Sequence, residues 1–239
     1  MISPPAISGA GVVRRFGFIR ALDGVTVEAR AGETVLLLGS NGAGKTTLLR
    51  ILAGLLLANG GEVSICGCSP RANEKDVRRR IGFLSHELAL YGELTASENL
   101  RFFGRIYRLR DREERVRAAL REAGLEAWRD EQARAFSRGM KQRLALARVF
   151  LHGPDVLLLD EPFTGLDLSS ARSLAERLAD ARERGAALIL SSHRLEVAAP
   201  LGDRAVILKK GRVVERVDLG GHTDVERTAR LRALLEEKA

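Results

Sequence analysis

Apolar and polar positions divide this chain into three kinds of stretch. Uninterrupted apolar runs at 34–38, 156–159 and 187–190 have the length of strands buried on both faces, as in a parallel sheet. Short strands at 7–13 and 25–28, with Asp23-Gly24 as the turn between them, predict a hairpin. A further strand at 62–65 follows the Gly60-Gly61 turn. Runs at 205–208 and 213–217 flank Lys209-Lys210-Gly211-Arg212, a second hairpin signal.

Helical periodicity fills the remainder. A helix over 45–53 is stopped by Gly54. Asp111 followed by Glu114 resembles a capping box, with Val116, Leu120 and Ala123 on one face and Gly124 at the end. Leu174, Leu178 and Ala181 give the helix before Gly185 its buried stripe. From His222 onward the tail is a short charged helix or is frayed. The pattern predicts an α/β fold: a parallel core with helices on both faces, an antiparallel β layer on the N-terminal side and an inserted helical lobe. The main lobe spans about 1–86 and 151–220, the helical lobe about 87–150 and the tail about 221–239.

Chemistry enters directly after the run at 34–38. Gly39, Ser40, Asn41, Gly42, Ala43, Gly44, Lys45, Thr46 and Thr47 fit G-x-x-x-x-G-K-[ST] between a strand and a helix. Glycines here let successive N–H groups converge on phosphate oxygens, and the helix adds its positive end. Lys45 then reaches the β- and γ-phosphates, and the Thr46 hydroxyl binds Mg²⁺. The run at 156–159 ends in Asp160 and Glu161. Asp160 suits the Mg²⁺ shell opposite the phosphate loop, and Glu161 suits a general base acting on water. Read alone, the two acids also fit a turn capped ahead of Pro162.

Between these elements lies Phe136-Ser137-Arg138-Gly139-Met140-Lys141-Gln142-Arg143, which alone reads as an N-capped helix. With the phosphate loop before it and the acidic strand after it, the chain resembles the ATP-binding subunit of an ABC (ATP-binding cassette) transporter, a P-loop NTPase fold. The stretch is similar to that family's Leu-Ser-Gly-Gly-Gln signature, with Arg138 and Met140 replacing a glycine and the glutamine. The resemblance implies that Ser137 and Gly139 meet nucleotide held by a second subunit, and that Asp167 lies at the dimer contact. It also implies that His193 is the switch histidine and that Phe16 stacks on adenine. Without it, His193 reads as a turn residue and Phe16 as a core residue. His86 stands where the family has glutamine, so its contribution to the γ-phosphate site depends on imidazole protonation.

The stretch from His86 through Gly92-Glu-Leu-Thr-Ala-Ser-Glu-Asn-Leu100 resembles the haem-exporter ATPase of cytochrome c biogenesis. Drug, lipid and polysaccharide exporter subunits carry similar Ser-x-Gly-Met-Lys-Gln signatures. The implied activity is ATP hydrolysis with Mg²⁺. The implied assembly is a homodimer or heterodimer of ATPase subunits around two ATP, attached to an integral membrane permease. A cassette ATPase without transport is the alternative from another class.

Composition adds limits. A charge of +8 comes from 39 Lys and Arg, only six of them lysine, against 31 acids. Arginines at 101–134 alternate with acids at helical spacing, as on a solvated helix, and no nucleic-acid motif accompanies them. No apolar stretch approaches the ~18 residues that span a bilayer, and no secretory leader is expected. Cys66 and Cys68 read as free thiols. The expected location is therefore cytoplasmic, peripheral on the inner face of the cell membrane.

Overall fold

A computed structural model describes residues 5–70 and 74–238. Residues 1–4 and 71–73, assigned to the main lobe from the sequence, and 239 in the tail lie outside the described residues. The apolar runs become β3 (Thr34–Leu38), β6 (Val156–Asp160) and β7 (Ala187–Ser191). With β5 (Ile81–Leu84), β8 (Arg204–Lys209) and β9 (Arg212–Asp218) they form a sheet of order β5-β6-β7-β3-β8-β9. All neighbours are parallel except the edge strand β9, which returns antiparallel along β8.

Period-2 geometry sorts these strands onto two cores. Leu36, Leu38, Leu157, Leu159, Leu188 and Leu190 face one cluster. It is closed by α5 (Arg138–Phe150), α6 (Leu168–Glu183) and α7 (Leu195–Ala198). Val35, Leu37, Val156, Leu158 and Ile189 face the other. There α1 (Lys45–Leu52) and a second, antiparallel sheet cover them. That sheet has the order β2-β1-β4, from β1 (Ile7–Phe16), β2 (Ile19–Ala29) and β4 (Gly60–Ile65). Burial on both faces is why the central runs contain no polar alternation.

A third cluster belongs to α3 (Ala96–Ile106), α4 (Arg112–Glu122) and the inner side of α5. Helix α5 bridges the lobes. Leu144, Ala147 and Leu151 pack into the helical cluster, whereas Ala145, Leu146 and Val149 pack into the sheet core. A short α2 (Glu74–Arg80) precedes β5.

Two expectations need correction. The first hairpin reverses at Gly17-Phe18, with Phe16 opposite Ile19, and Asp23-Gly24 lies inside β2. The tip projects beyond the core, so Phe18 is fully exposed and the run lacks the apolar alternation that marks a strand. The capping box belongs to Thr95 and Glu98: Glu98 N–H donates to Thr95 Oγ1 at 3.1 Å, and Thr95 N–H to Glu98 Oε2 at 2.8 Å. Asp111 has a left-handed backbone (φ 50°) and makes no side-chain cap bond, because capping needs an extended residue there. Of the two readings of the tail the helix holds: it forms α8 (Asp224–Lys238), held by the fully buried Leu231 and by Arg227 Nη1 donating to Pro200 O at 3.1 Å.

Candidate active site

The loop between β3 and α1 is shaped by what glycine permits. At Gly39 (φ 140°) a Cβ would sit 2.2 Å from Leu208 O, and at Gly44 (φ 107°) 2.7 Å from Ala21 O. The loop is thereby pressed against β8 and β2, and its carbonyls arch over the first residue of α1. Lys45 Nζ donates to Gly39 O at 2.7 Å and Ser40 O at 3.1 Å. Burial lowers the Lys45 pKa, while Glu161 and Asp160 favour its charged form.

The neighbouring parallel strands deliver the acids. Thr46 Oγ1 donates to Asp160 Oδ2 at 2.6 Å, and Ser191 Oγ donates to Asp160 Oδ1 at 2.7 Å. Asp160 is only 4% exposed, and each of its carboxylate oxygens accepts from one of these hydroxyls. Glu161 takes a left-handed backbone (φ 53°), its N–H directed at Ser191 O (3.2 Å) and Ser191 Oγ (3.1 Å). That conformation turns its side chain out of the strand, where Oε2 accepts from His193 N–H at 3.1 Å. Oε1 lies 3.4 Å from His193 Nε2 and is a buried oxygen with no hydrogen-bond donor in the protein. Such an acceptor is ready for a water proton.

A cleft of about 280 Å³ gathers these groups. It is lined by the loop from Asn41 through Thr47, together with Ala21, His86, Asp160, Glu161 and His193. Gly39 and Ser40 contribute through the carbonyls that hold Lys45. Phe16, at the end of β1, is 45% exposed and does not line the cleft; its ring carries the Arg14 guanidinium at 4.5 Å. Neither Ser137 nor Gly139 lines it either. Ser137 caps α5, accepting from Met140 N–H at 3.2 Å, and Gly139 packs against Gly165 O. Asp167 caps α6, accepting from Ser170 N–H at 2.7 Å.

Sequence reasoning did not single out Ser191, which bonds both Asp160 and the Glu161 backbone. Its signal is a polar residue at the end of an otherwise apolar strand. The oxygen set of Thr46 and Asp160, hard donors converging at one point, fits Mg²⁺ rather than a softer metal. Among the described residues no three His, Cys, Asp or Glu side chains gather as a metal group.

A family model described as ABC transporter matches residues 22–164. The chain is similar to ABC transporter ATP-binding protein NatA of Bacillus subtilis, 34% identical over 92% of this chain and 91% of that protein. It is also similar to Nod factor export ATP-binding protein I of Ralstonia nicotianae, 36% identical over 89% of this chain and 67% of that protein. Among solved structures it resembles the dimeric post-hydrolysis state of the ATP-binding cassette MJ0796, bound to ADP and Pi. The TM-score is 0.82 at 28% identity, covering 90% of this chain and all of that one.

Proposed function

Since the chain belongs to the ABC transporter family as an ATP-binding, ATP-hydrolysing subunit, we propose that two such subunits enclose two ATP between them to drive a separate membrane permease. The observation that carries this reading is an incomplete cleft. One chain brings the phosphate loop, Asp160, Glu161 and His193 together, yet leaves Ser137 and Gly139 outside. A helix N-terminus with a serine cap is an anion site in search of its anion, and a second copy arranged head to tail supplies one. The dimeric MJ0796 cassette supports the arrangement by likeness.

In this reading Phe16 stacks on adenine, and loop N–H groups with Lys45 neutralise the phosphates. Thr46 and Asp160 would hold Mg²⁺, which would supply further neutralisation of phosphate charge. Glu161 takes a proton from water as the new P–O bond forms and ADP leaves. The His193 backbone keeps the Glu161 carboxylate oriented through its 3.1 Å bond. His86 lines the same cleft, at the end of the strand that leads into the helical lobe. Hydrolysis loosens the dimer, and the difference between closed and open states is the work available to the permease.

No helix among the described residues is long and apolar enough to cross a membrane. In this reading the permease is a separate partner and the ATPase sits on the cytoplasmic face of its membrane. Export is the favoured direction, because the relatives include proteins named for Nod factor export. The narrower haem-exporter reading rests on the stretch after His86 alone, and an exporter with another cargo is better supported by those relatives.

Light scattering of Glu161→Gln tests the proposal. The variant is expected to form an ATP-dependent dimer and to hydrolyse ATP roughly 10²–10⁴-fold more slowly. A monomer with undiminished turnover overturns it.

A further inference from the structure

We infer that Gln142 and Arg194 are positioning residues that grip the loop after Glu161 from two sides, making the chain's own phosphate site and the signature it offers to a partner move together. The inference rests on the reading above, in which Glu161 and His193 serve one ATP and Ser137 serves the other. The loop from Pro162 to Leu166 lies between them. It is short, and its Phe163 side chain is sunk in the sheet core at 1% exposure. Its turns use the bonds Thr164 N–H to Glu161 O and Leu166 N–H to Phe163 O.

Two side chains take backbone carbonyls of this loop. Gln142, in the second turn of α5 and 6% exposed, donates Nε2 to Pro162 O at 2.8 Å. Arg194, the residue after His193, donates Nη1 to Phe163 O at 3.2 Å and to Leu166 O at 2.9 Å. The signature's own start adds contact. Arg138 lies 3.2 Å from where a Cβ on Gly165 would sit, and a Cβ on Gly139 would be 3.1 Å from Gly165 O. So α5, which begins at the Ser137 cap, and the His193 turn hold the same five residues.

The physical consequence follows from rigidity. A carbonyl shielded from water that loses its donor is left unsatisfied, so the loop follows its donors rather than parting from them. When γ-phosphate draws on Glu161 and His193, Arg194 shifts the loop, and the loop carries Gln142 and the start of α5 with it. Occupancy of one site is thereby passed to the signature facing the other, which is positive coupling between two ATP sites.

Steady-state ATP hydrolysis against ATP concentration tests this, because a dimer with two sites can reach a Hill coefficient of at most about 2. The wild type is expected to show a coefficient above about 1.5, and Arg194→Leu and Gln142→Met to bring it to about 1. Arg194→Lys is expected to regain part of the cooperativity, since an ammonium still offers a donor to one carbonyl. A purely structural role would lower melting temperature and leave the coefficient alone. Should the buried Gln142→Met not fold, Arg194→Leu, a half-buried side chain, decides the matter. A folded Arg194→Leu with unchanged cooperativity, or a non-cooperative wild type, overturns the coupling. Failure of Glu161→Gln to dimerise with ATP overturns the reading beneath it as well.

Discussion

The Thr46 hydroxyl and the Asp160 carboxylate meet at 2.6 Å across 114 residues of sequence, joining the first turn of α1 to the end of β6. The other Asp160 oxygen is held by Ser191, so both are occupied by hydroxyl donors. Asp160→Asn keeps the shape and removes the charge. Magnesium-dependent ATP hydrolysis is expected to fall by about a hundredfold or more. Phosphate release, with a thermal melt to show that the fold persists, measures it.

Phe16 offers an exposed ring at the end of β1, braced from one side by Arg14. Base stacking on such a ring contributes about 1–3 kcal/mol, so Phe16→Ala is expected to weaken ATP binding roughly 5- to 150-fold. Affinity for inorganic triphosphate, which has no base, is expected to stay as it is. Calorimetry with both ligands separates the two.

Glycines in the phosphate loop are not equivalent. A methyl at Gly39 would collide with Leu208 O, whereas at Gly42 no neighbour lies within 4 Å. Gly39→Ala is expected to cost roughly 2 kcal/mol or more and to lower the melting temperature by about 4–8 °C. Gly42→Ala carries only the backbone strain of its φ of 77° and is expected to lose about half as much. Differential scanning calorimetry of the pair would show whether close approach or backbone angle dominates.

His152 predicts an acid-sensitive stability. Burial between Tyr107, stacked on it at 3.9 Å, and the sheet pushes its pKa down to about 4, helped by the Arg148 charge and opposed by the bond to Ile81 O. The folded state therefore binds this proton less readily than the unfolded chain, whose histidine titrates near 6.5. Stability is complete above pH 6.5 and is lost as pH falls from 6.5 toward 4, by up to roughly 3 kcal/mol. His152→Gln is expected to flatten that part of the curve. Urea unfolding at pH 7.5, 6 and 5 provides the comparison, and equal slopes in both proteins would refute it.

Much of the fold was legible because buried parallel strands cannot hide their composition. The runs at 34–38, 156–160 and 187–191 are apolar on every residue until their polar ends, since both sheet faces are covered. The phosphate loop was equally plain, because only glycine tolerates the angles at 39 and 44. The hairpin at Gly17 was not legible, since its tip has no core to answer to and exposed Phe16 and Phe18 imitate buried residues. Asp111 carries the residue pattern of a capping box, but its left-handed backbone, unlike the extended one at Thr95, denies it the cap, and sequence does not show that angle.

Chain order alone thus determined which residue types were present for phosphate, cation and water: Lys45, Thr46, Asp160, Glu161 and His193, each at or beyond the carboxyl end of an apolar run. Tertiary structure decided that three adjacent strands in the order β6-β7-β3 bring those ends to one cleft. It also decided that Ser191 braces Asp160 and that Gln142 and Arg194 share the loop after Glu161. These pairings depend on hydrogen-bond distances between segments far apart in sequence, and local pattern carries no information about distance.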